Sequence, residues 1–333
     1  MTAMSIVASL PDHLLAIPAG TAKSQVITMD RRSFITRVGL GAAVLNLRSQ
    51  AASLAPHNAP VMLTRAIAAT GEHLPVIGMG TSGTFDVSTD AAARAPLIEV
   101  TRLLLETPHA VIDTAPSYGR AEAVSGDILH SQGWRKQTFL ATKISAPAGP
   151  PARAQWQQSQ QRLRSATVDV LQIHNLVDWR NNLAFLRELK EAGQVRYTGV
   201  THYLDHAHDA LAAIVAAEPI DFVQINLSVT SRAAERRLLP LCQTRGVAVI
   251  INRAFEDGRL FGLVKGRALP TWASEIDCSS WAQLFLKFVI AHPAVTVVIP
   301  ATSKPGNMRD NLAAGVGALP DAKQRERIAA LFG

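Results

Sequence analysis

Side chains suited to acid–base chemistry cluster in one short stretch, Val111-Ile112-Asp113-Thr114-Ala115-Pro116-Ser117-Tyr118-Gly119-Arg120. An apolar run, Ala110 to Ile112, ends on an acid, and a tyrosine follows beside Pro116 and Gly119. That pattern reads as a buried strand running into a turn. A phenol has an ordinary pKa of about 10. To release a proton near neutral pH it needs a cation close by, and a buried cation needs a counter-charge. Lys143 closes the next apolar run, Phe139 to Thr142, and offers the cation, while Asp113 offers the counter-charge. A fourth ionisable group, His174, ends the run Val170 to Ile173. Taken singly, Asp113 reads equally well as a loop cap, Lys143 as a solvated strand end and His174 as a satisfied core histidine. Together, at the ends of successive strands, they describe a proton-transfer site. A lysine so placed could also serve as a Schiff-base amine in a barrel aldolase or lyase.

These side chains meet only if the strands carrying them are neighbours. Apolar strands are legible at Val76–Gly80, Ala110–Asp113, Thr138–Thr142, Val168–Ile173, Val195–Val200, Phe222–Asn226, Val247–Ile251 and Val295–Ile299. Helical patterns lie between them, at Ile98–Glu106, Glu122–His130, Arg153–Ser165, Ala184–Ala192, Asp205–Ala217, Ala233–Thr244 and Trp281–His292, with a final pair at Asn307–Ala314 and Asp321–Phe332. Near-continuous apolar strands mean burial on both faces. Eight strand–helix units over roughly 260 residues predict an α/β fold, a (β/α)8 TIM barrel, whose working residues sit at the C-terminal strand ends. Arg65 to Pro75, with Thr70-Gly71-Glu72 at its tip, predicts a short hairpin ahead of the barrel. The insertion between Gly258 and Cys278, with Leu260, Phe261, Val264 and Leu269-Pro270-Thr271-Trp272, is an extra loop or helix before the seventh barrel helix. An open doubly wound sheet is the alternative architecture. Gly78, Gly80 and Gly83 formally satisfy G-x-G-x-x-G, but Thr84-Phe85-Asp86 does not open a helix and no acid closes a second strand at the required distance.

The chain has 333 residues, 48% hydrophobic, with a formal net charge of +7. No stripe of Lys and Arg interleaves with aromatics, so nucleic acid is not an expected partner. Cys242 and Cys278 lie outside any C-x-x-C pair or metal-spaced histidine set, so they read as packing thiols, no metal site is expected, and a disulfide between them is the alternative. The basic excess is concentrated at the start, where Lys23, Arg31, Arg32, Arg37 and Arg48 face only Asp12 and Asp30 before Ala52. Asp30-Arg31-Arg32-Ser33-Phe34-Ile35 precedes a mostly apolar segment, Val38 to Leu47, too short for a membrane-spanning helix of ~20 residues. Small residues follow, at Ser49-Gln50-Ala51. The arrangement resembles a twin-arginine export signal and predicts a periplasmic or otherwise exported protein with no stable membrane anchor. Residues 1–51 are then a leader, with the signal over 29–51, cleavage after Ala51 and Met29 as a candidate start; 52–64 is a linker and 65–333 the barrel.

The strand-end residues resemble those of the aldo-keto reductases. Ile112-Asp113-Thr114-Ala115 with Tyr118-Gly119 and Glu122, then Ala141-Thr142-Lys143, then Gln172-Ile173-His174 follow that family's tetrad pattern in order and context. Gly193-Gln194-Val195-Arg196-Tyr197-Thr198-Gly199-Val200, Phe222-Val223-Gln224-Ile225-Asn226 and Ile299-Pro300-Ala301-Thr302-Ser303 extend the similarity across residues 65–315. The resemblance implies interconversion of a small-molecule carbonyl and an alcohol with NADP(H), NAD(H) being the lesser alternative. In that scheme Tyr118 is the general acid, Lys143 lowers its pKa, Asp113 holds the lysine, and His174 orients the carbonyl or shares the proton. The resemblance also assigns cofactor contacts: Thr81 after the first strand, Thr201 and His202 where many members have Ser-Asn, and Gln224 for the nicotinamide carboxamide. Arg253 would meet the pyrophosphate, since Asn252-Arg253-Ala254-Phe255 stands where many members place a stacking aromatic. Thr302, Ser303, Lys304 and Arg309 would hold the adenosine 2′-phosphate, and Asn311 the adenine. Phe85, Trp179 and Trp272 are candidates to line a substrate pocket. A non-catalytic sensor or subunit reading NADP(H) on the same fold is the alternative function, and the complete tetrad argues against it.

Overall fold

The computed structural model of the chain describes residues 61–333. The twin-arginine signal, the candidate start at Met29, the cleavage position after Ala51 and most of the linker lie outside the described residues. Strands β1 (Thr64–Ala66) and β2 (His73–Pro75) form the antiparallel hairpin. Gly71 turns it, with φ at 73°, a left-handed value that a side chain disfavours.

Eight parallel strands follow in sequence order: β3 (Met79–Gly80), β4 (Ala110–Asp113), β5 (Thr138–Ile144), β6 (Val168–His174), β7 (Val195–Thr201), β8 (Phe222–Asn226), β9 (Ala248–Asn252) and β10 (Val297–Val298). Each pairs with the next, and bridges from Ile77 to Val298 and from Gly80 to Ala301 join the first strand to the last. The sheet therefore closes into a barrel, as the alternation of strands and helices predicted. The formal G-x-G-x-x-G opens no helix; Gly80 instead allows strand closure, since a Cβ there would sit 2.9 Å from the Ile299 carbonyl oxygen.

The helices are α1 (Ala91–Leu104), α2 (Ala121–Ser131), α3 (Pro150–Leu163), α4 (Trp179–Glu191), α5 (His208–Ala217), α6 (Leu238–Arg245), α7 (Arg259–Leu263), α8 (Trp281–Ile290), α9 (Pro305–Ala313) and α10 (Ala322–Ala329). Their starts follow local chemistry. Asp90 caps α1 through Ala92 N–H, Ser280 caps α8 through Gln283 N–H, and Asp321 with Gln324 forms a reciprocal box on α10. The short α7 is the extra element expected before the seventh barrel helix.

Strand parity divides the core in two. Outward side chains such as Ile112, Leu140, Leu171, Val200 and Val223 pack under the helices, against Leu97, Val124, Leu186 and Phe285. Inward ones, Val111, Phe139, Ala141, Val170, Tyr197, Phe222 and Ile250, fill the barrel together with Ile67 and Leu74 of the hairpin region. The hairpin thus plugs the N-terminal end. Glu72 fastens it, accepting from the Tyr197 hydroxyl at 2.7 Å and pairing with Arg196 at 2.5 Å. The plug and the filled interior leave one open rim for chemistry, at the C-terminal strand ends.

Candidate active site

Asp113 ends β4 facing the interior, and the ladder fixes its backbone: Thr81 donates to the Asp113 carbonyl through both its N–H and its hydroxyl, at 3.0 Å each. Lys143, one strand over, stands two residues beyond the partner of Asp113, and parity points it inward as well. Its Nζ donates to both Asp113 carboxylate oxygens, at 2.8 and 2.7 Å, and to the Thr114 carbonyl at 2.8 Å. Both residues are fully buried. Burial works against the lysine's charge, but Asp113 and Tyr118 outweigh it and hold the Lys143 pKa above its ordinary value. The ammonium is therefore kept, and a Schiff base, which needs the free amine, is disfavoured.

The loop after β4 brings Tyr118 over this pair, with the Lys143 Nζ 5.1 Å from the ring centroid. Gly119 makes the turn, at φ 59°, in a place where a Cβ would strike the Asp86 carboxylate. Asp86 in turn accepts from the Arg120 N–H at 3.1 Å and the Arg120 Nε at 3.0 Å, tying the tyrosine loop to the loop after β3. One expectation changes in sign. Burial raises the Tyr118 pKa by more than Lys143 lowers it, so the resting side chain is a protonated phenol.

His174 ends β6, where the chain leaves through Asn175 and Leu176 at φ 52° and 60°. Its ring stands edge-on to Tyr118, centroids 5.8 Å apart and planes at 85°. Burial, then the charges of Lys143 and His202, push its pKa down to about 3, so it is neutral at any ordinary pH. Behind the tetrad, Thr142 donates to the buried Glu122 at 2.7 Å, seating α2 against β5.

A cavity of about 820 Å³ opens above these groups. Thr81, Asp113, Tyr118, His174, Thr201, Gln224 and Arg253 all line it. Thr201 donates to the Gln224 carbonyl oxygen at 2.9 Å, leaving Gln224 Nε2 buried without a partner; Asn252 Oδ1, on the same cavity wall, is likewise unpartnered. Arg253 reaches the cavity but pairs with Asp257 at 2.7 Å, and its guanidinium lies over the Tyr203 ring at 5.5 Å.

The remaining assigned residues stand outside this lining. His202 stacks on Tyr203 with centroids 5.4 Å apart. Thr302, Ser303 and Lys304 lie between β10 and α9, just past Ala301, which does line the cavity. Lys304 is exposed at the N-cap of α9, and Asn311 is buried within that helix. Arg309 is turned away onto Glu99 of α1 at 3.2 Å. Phe85 is buried in the outer core, and Trp179 and Trp272 pack against that core, so the expected aromatic lining is supplied instead by Tyr203, Phe255 and Phe261. Tyr203 and Ser117, which also lines the cavity, directly adjoin residues singled out from the sequence. That adjacency was the signal for them; Phe261 lies in the insertion between Gly258 and Cys278 that the sequence set apart, and the structure turns it into the cavity. The two cysteines are buried and unpaired.

The sequence profile of the Aldo/keto reductase family matches residues 76–331. The chain belongs to that family. It is similar to aldo-keto reductase YhdN of Bacillus subtilis (strain 168), 28% identical over 214 residues, a match covering 59% of this chain and 63% of that protein. It is also similar to the NADH-specific methylglyoxal reductase of Escherichia coli (strain K12), 24% identical over 261 residues, covering 61% of this chain and 78% of that one. Among solved structures, an aldo-keto reductase from Klebsiella pneumoniae in complex with NADPH superposes with a TM-score of 0.69 at 25% identity, over 82% of this chain and 95% of its own. The holo form of an aldo-keto reductase from Bacillus halodurans superposes with a TM-score of 0.65 at 22% identity, over 81% and 96%, a likeness of fold.

Proposed function

We propose that this aldo/keto reductase family member reduces the carbonyl of a small molecule with NADPH, through Asp113, Tyr118, Lys143 and His174. The observation that carries the reading is the buried Asp113–Lys143 pair, at 2.7 Å, placed 5.1 Å from the Tyr118 ring at the mouth of the barrel. The donor set at the mouth fits a nicotinamide dinucleotide. Gln224 Nε2 and Asn252 Oδ1 are buried polar atoms without partners on the cavity wall, suited to a carboxamide, and Lys304 at the start of α9 suits a phosphate. When bound, NADPH supplies the hydride for the carbonyl carbon.

The protein's own part is the proton. Tyr118 gives its hydroxyl proton to the carbonyl oxygen as that oxygen gains charge. Lys143 attracts the phenolate oxygen far more than the resting phenol, so its charge acts on the state that forms during the reaction. Asp113 keeps the lysine protonated and fixed. His174, uncharged, orients the carbonyl without competing for the proton. NADP(H) rather than NAD(H) is the preferred cofactor because Lys304 forms no ion pair among the described residues and can meet a 2′-phosphate.

The test is turnover of a panel of small aldehydes and quinones by the intact protein and by Tyr118→Phe. The expected result is a fall of about 10²–10⁴-fold in kcat with NADPH binding, followed by fluorescence, retained. Equal rates in the variant would remove Tyr118 as the acid. We also propose export through the twin-arginine machinery on the strength of Arg31-Arg32 and the apolar segment after them. That route moves folded proteins, so the cofactor can travel inside. N-terminal sequencing of protein recovered from the periplasm is expected to begin near Ala52; recovery only from the cytoplasm would end the idea.

A further inference from the structure

Neutral imidazole has one ring nitrogen that donates and one that accepts, and only a partner fixes which is which. For His174 the structure offers one hydrogen-bond partner among the described residues: the hydroxyl of Ser117, 3.4 Å from Nδ1. Ser117 precedes the proton-donating Tyr118 in the same loop, is exposed on the cavity wall, and carries a hydroxyl hydrogen free to rotate. The inference rests on the reductase reading above. A carbonyl oxygen offers lone pairs, so every group that polarises it must donate. Tyr118 is one donor. The His174 ring can be a second only through Nε2–H, which requires Nδ1 to be the acceptor. We propose that Ser117 is a positioning residue that donates to Nδ1 of His174, fixes the Nε2–H tautomer, and so turns the imidazole into a hydrogen-bond donor for the substrate carbonyl.

The surroundings agree. The ring is buried and its Tyr118 contact is edge-on, so its plane is set by packing on one side and the cavity on the other. The loop that presents Ser117 is held just after it, by the turn at Gly119 and the Asp86–Arg120 contacts, and is closed across it by the Tyr118 N–H donating to the Ala115 carbonyl at 3.1 Å. At 3.4 Å the bond is long, as hydrogen bonds in ligand-free sites often are, and closure on a substrate would shorten it.

The proposal is tested by 15N NMR of histidine-labelled protein, with the His174 signal assigned by its loss in His174→Gln. The wild type is expected to show unprotonated Nδ1 and protonated Nε2, Ser117→Ala a mixture of tautomers, and Ser117→Thr, which keeps the hydroxyl, the wild-type pattern. In turnover, Ser117→Ala is expected to lose about tenfold in kcat, regained in Ser117→Thr, while NADPH affinity measured by fluorescence stays unchanged. A wild-type Nδ1–H tautomer, or an unaltered tautomer in Ser117→Ala, overturns the proposal. Nε2–H in a protein that turns over no carbonyl in the panel would defeat the reductase reading instead, and leave the role of Ser117 in setting the tautomer standing.

Discussion

At the scale of single residues, the site depends on groups whose charge states the barrel has pushed away from their values in water. His174 is the plainest. An imidazole in the unfolded chain titrates at about 6.5, whereas burial beside Lys143 holds it near 3 in the fold. Between those values the unfolded chain binds more protons, so acid favours unfolding. The stability tied to a neutral His174 is complete above pH 6.5 and drains away as pH falls toward 3, by up to about 1.4 kcal/mol per pH unit. His174→Gln removes that group from the balance. Urea denaturation of both proteins at several pH values should show the wild type's advantage shrinking as pH falls below about 6. An advantage independent of pH would mean that the ring is already charged, or is not buried as described. Tyr118 teaches the complementary lesson. Chemical intuition from the sequence set Lys143 to lower its pKa, yet desolvation outweighs the cation. The identities of the four groups were legible because Asp113, Lys143 and His174 each end an apolar run and Tyr118 follows the first of them on its turn; the balance between burial and charge was not, because it depends on distances among atoms from three strands and a loop.

At the scale of elements, the division of labour between β10 and α9 bears on cofactor choice. Five residues there, Thr302, Ser303, Lys304, Arg309 and Asn311, were assigned to the adenosine end from the family resemblance alone. Sequence spacing could not tell which of them a neighbouring helix would claim. The structure separates them: Arg309 pairs with Glu99, itself shared with Arg102, while Lys304 is exposed at the N-cap of α9. Charge already committed to a carboxylate is worth less to a phosphate than free charge, though exposure weakens both. Lys304→Ala is therefore expected to weaken NADPH binding by about tenfold and leave NADH binding nearly unchanged, with a smaller effect from Arg309→Ala. Fluorescence titration with both nucleotides measures the ratio. An equal loss for the two, or a larger loss in Arg309→Ala, would place the 2′-phosphate elsewhere. The same limit explains Phe85, Trp179 and Trp272. An aromatic in a loop looks identical whether it turns to the cavity or to the core, and all three are drawn into the larger apolar cluster.

At the scale of the whole molecule, chemistry and stability occupy opposite ends of one barrel. The order of the strands and their alternation with helices were readable because burial on both faces leaves long apolar runs. The edges were less so: β3 and β10 pair over two residues each where longer strands were expected, because closure passes through isolated bridges rather than a full ladder. What the apolar pattern did not announce is that the hairpin inserts into the barrel. Leu74 is completely buried among Val111, Phe139 and Tyr197, with Glu72 clasping Tyr197 and Arg196 beside it. The layers of side chains inside the barrel separate this plug from the tetrad. Leu74→Ala should leave a cavity at the closed end and lower the unfolding free energy by roughly 2–5 kcal/mol. The Asp113–Lys143–Tyr118 geometry is set by the C-terminal ends of β4 and β5 and the loop after β4, whereas Leu74 meets those two strands lower down, through Val111 and Phe139. Folded Leu74→Ala is therefore expected to bind NADPH and turn over carbonyls at close to the wild-type kcat, measured well below its lowered denaturation midpoint. A kcat that falls together with stability would show that the interior transmits strain from plug to mouth, and that the two ends of the barrel are not independent.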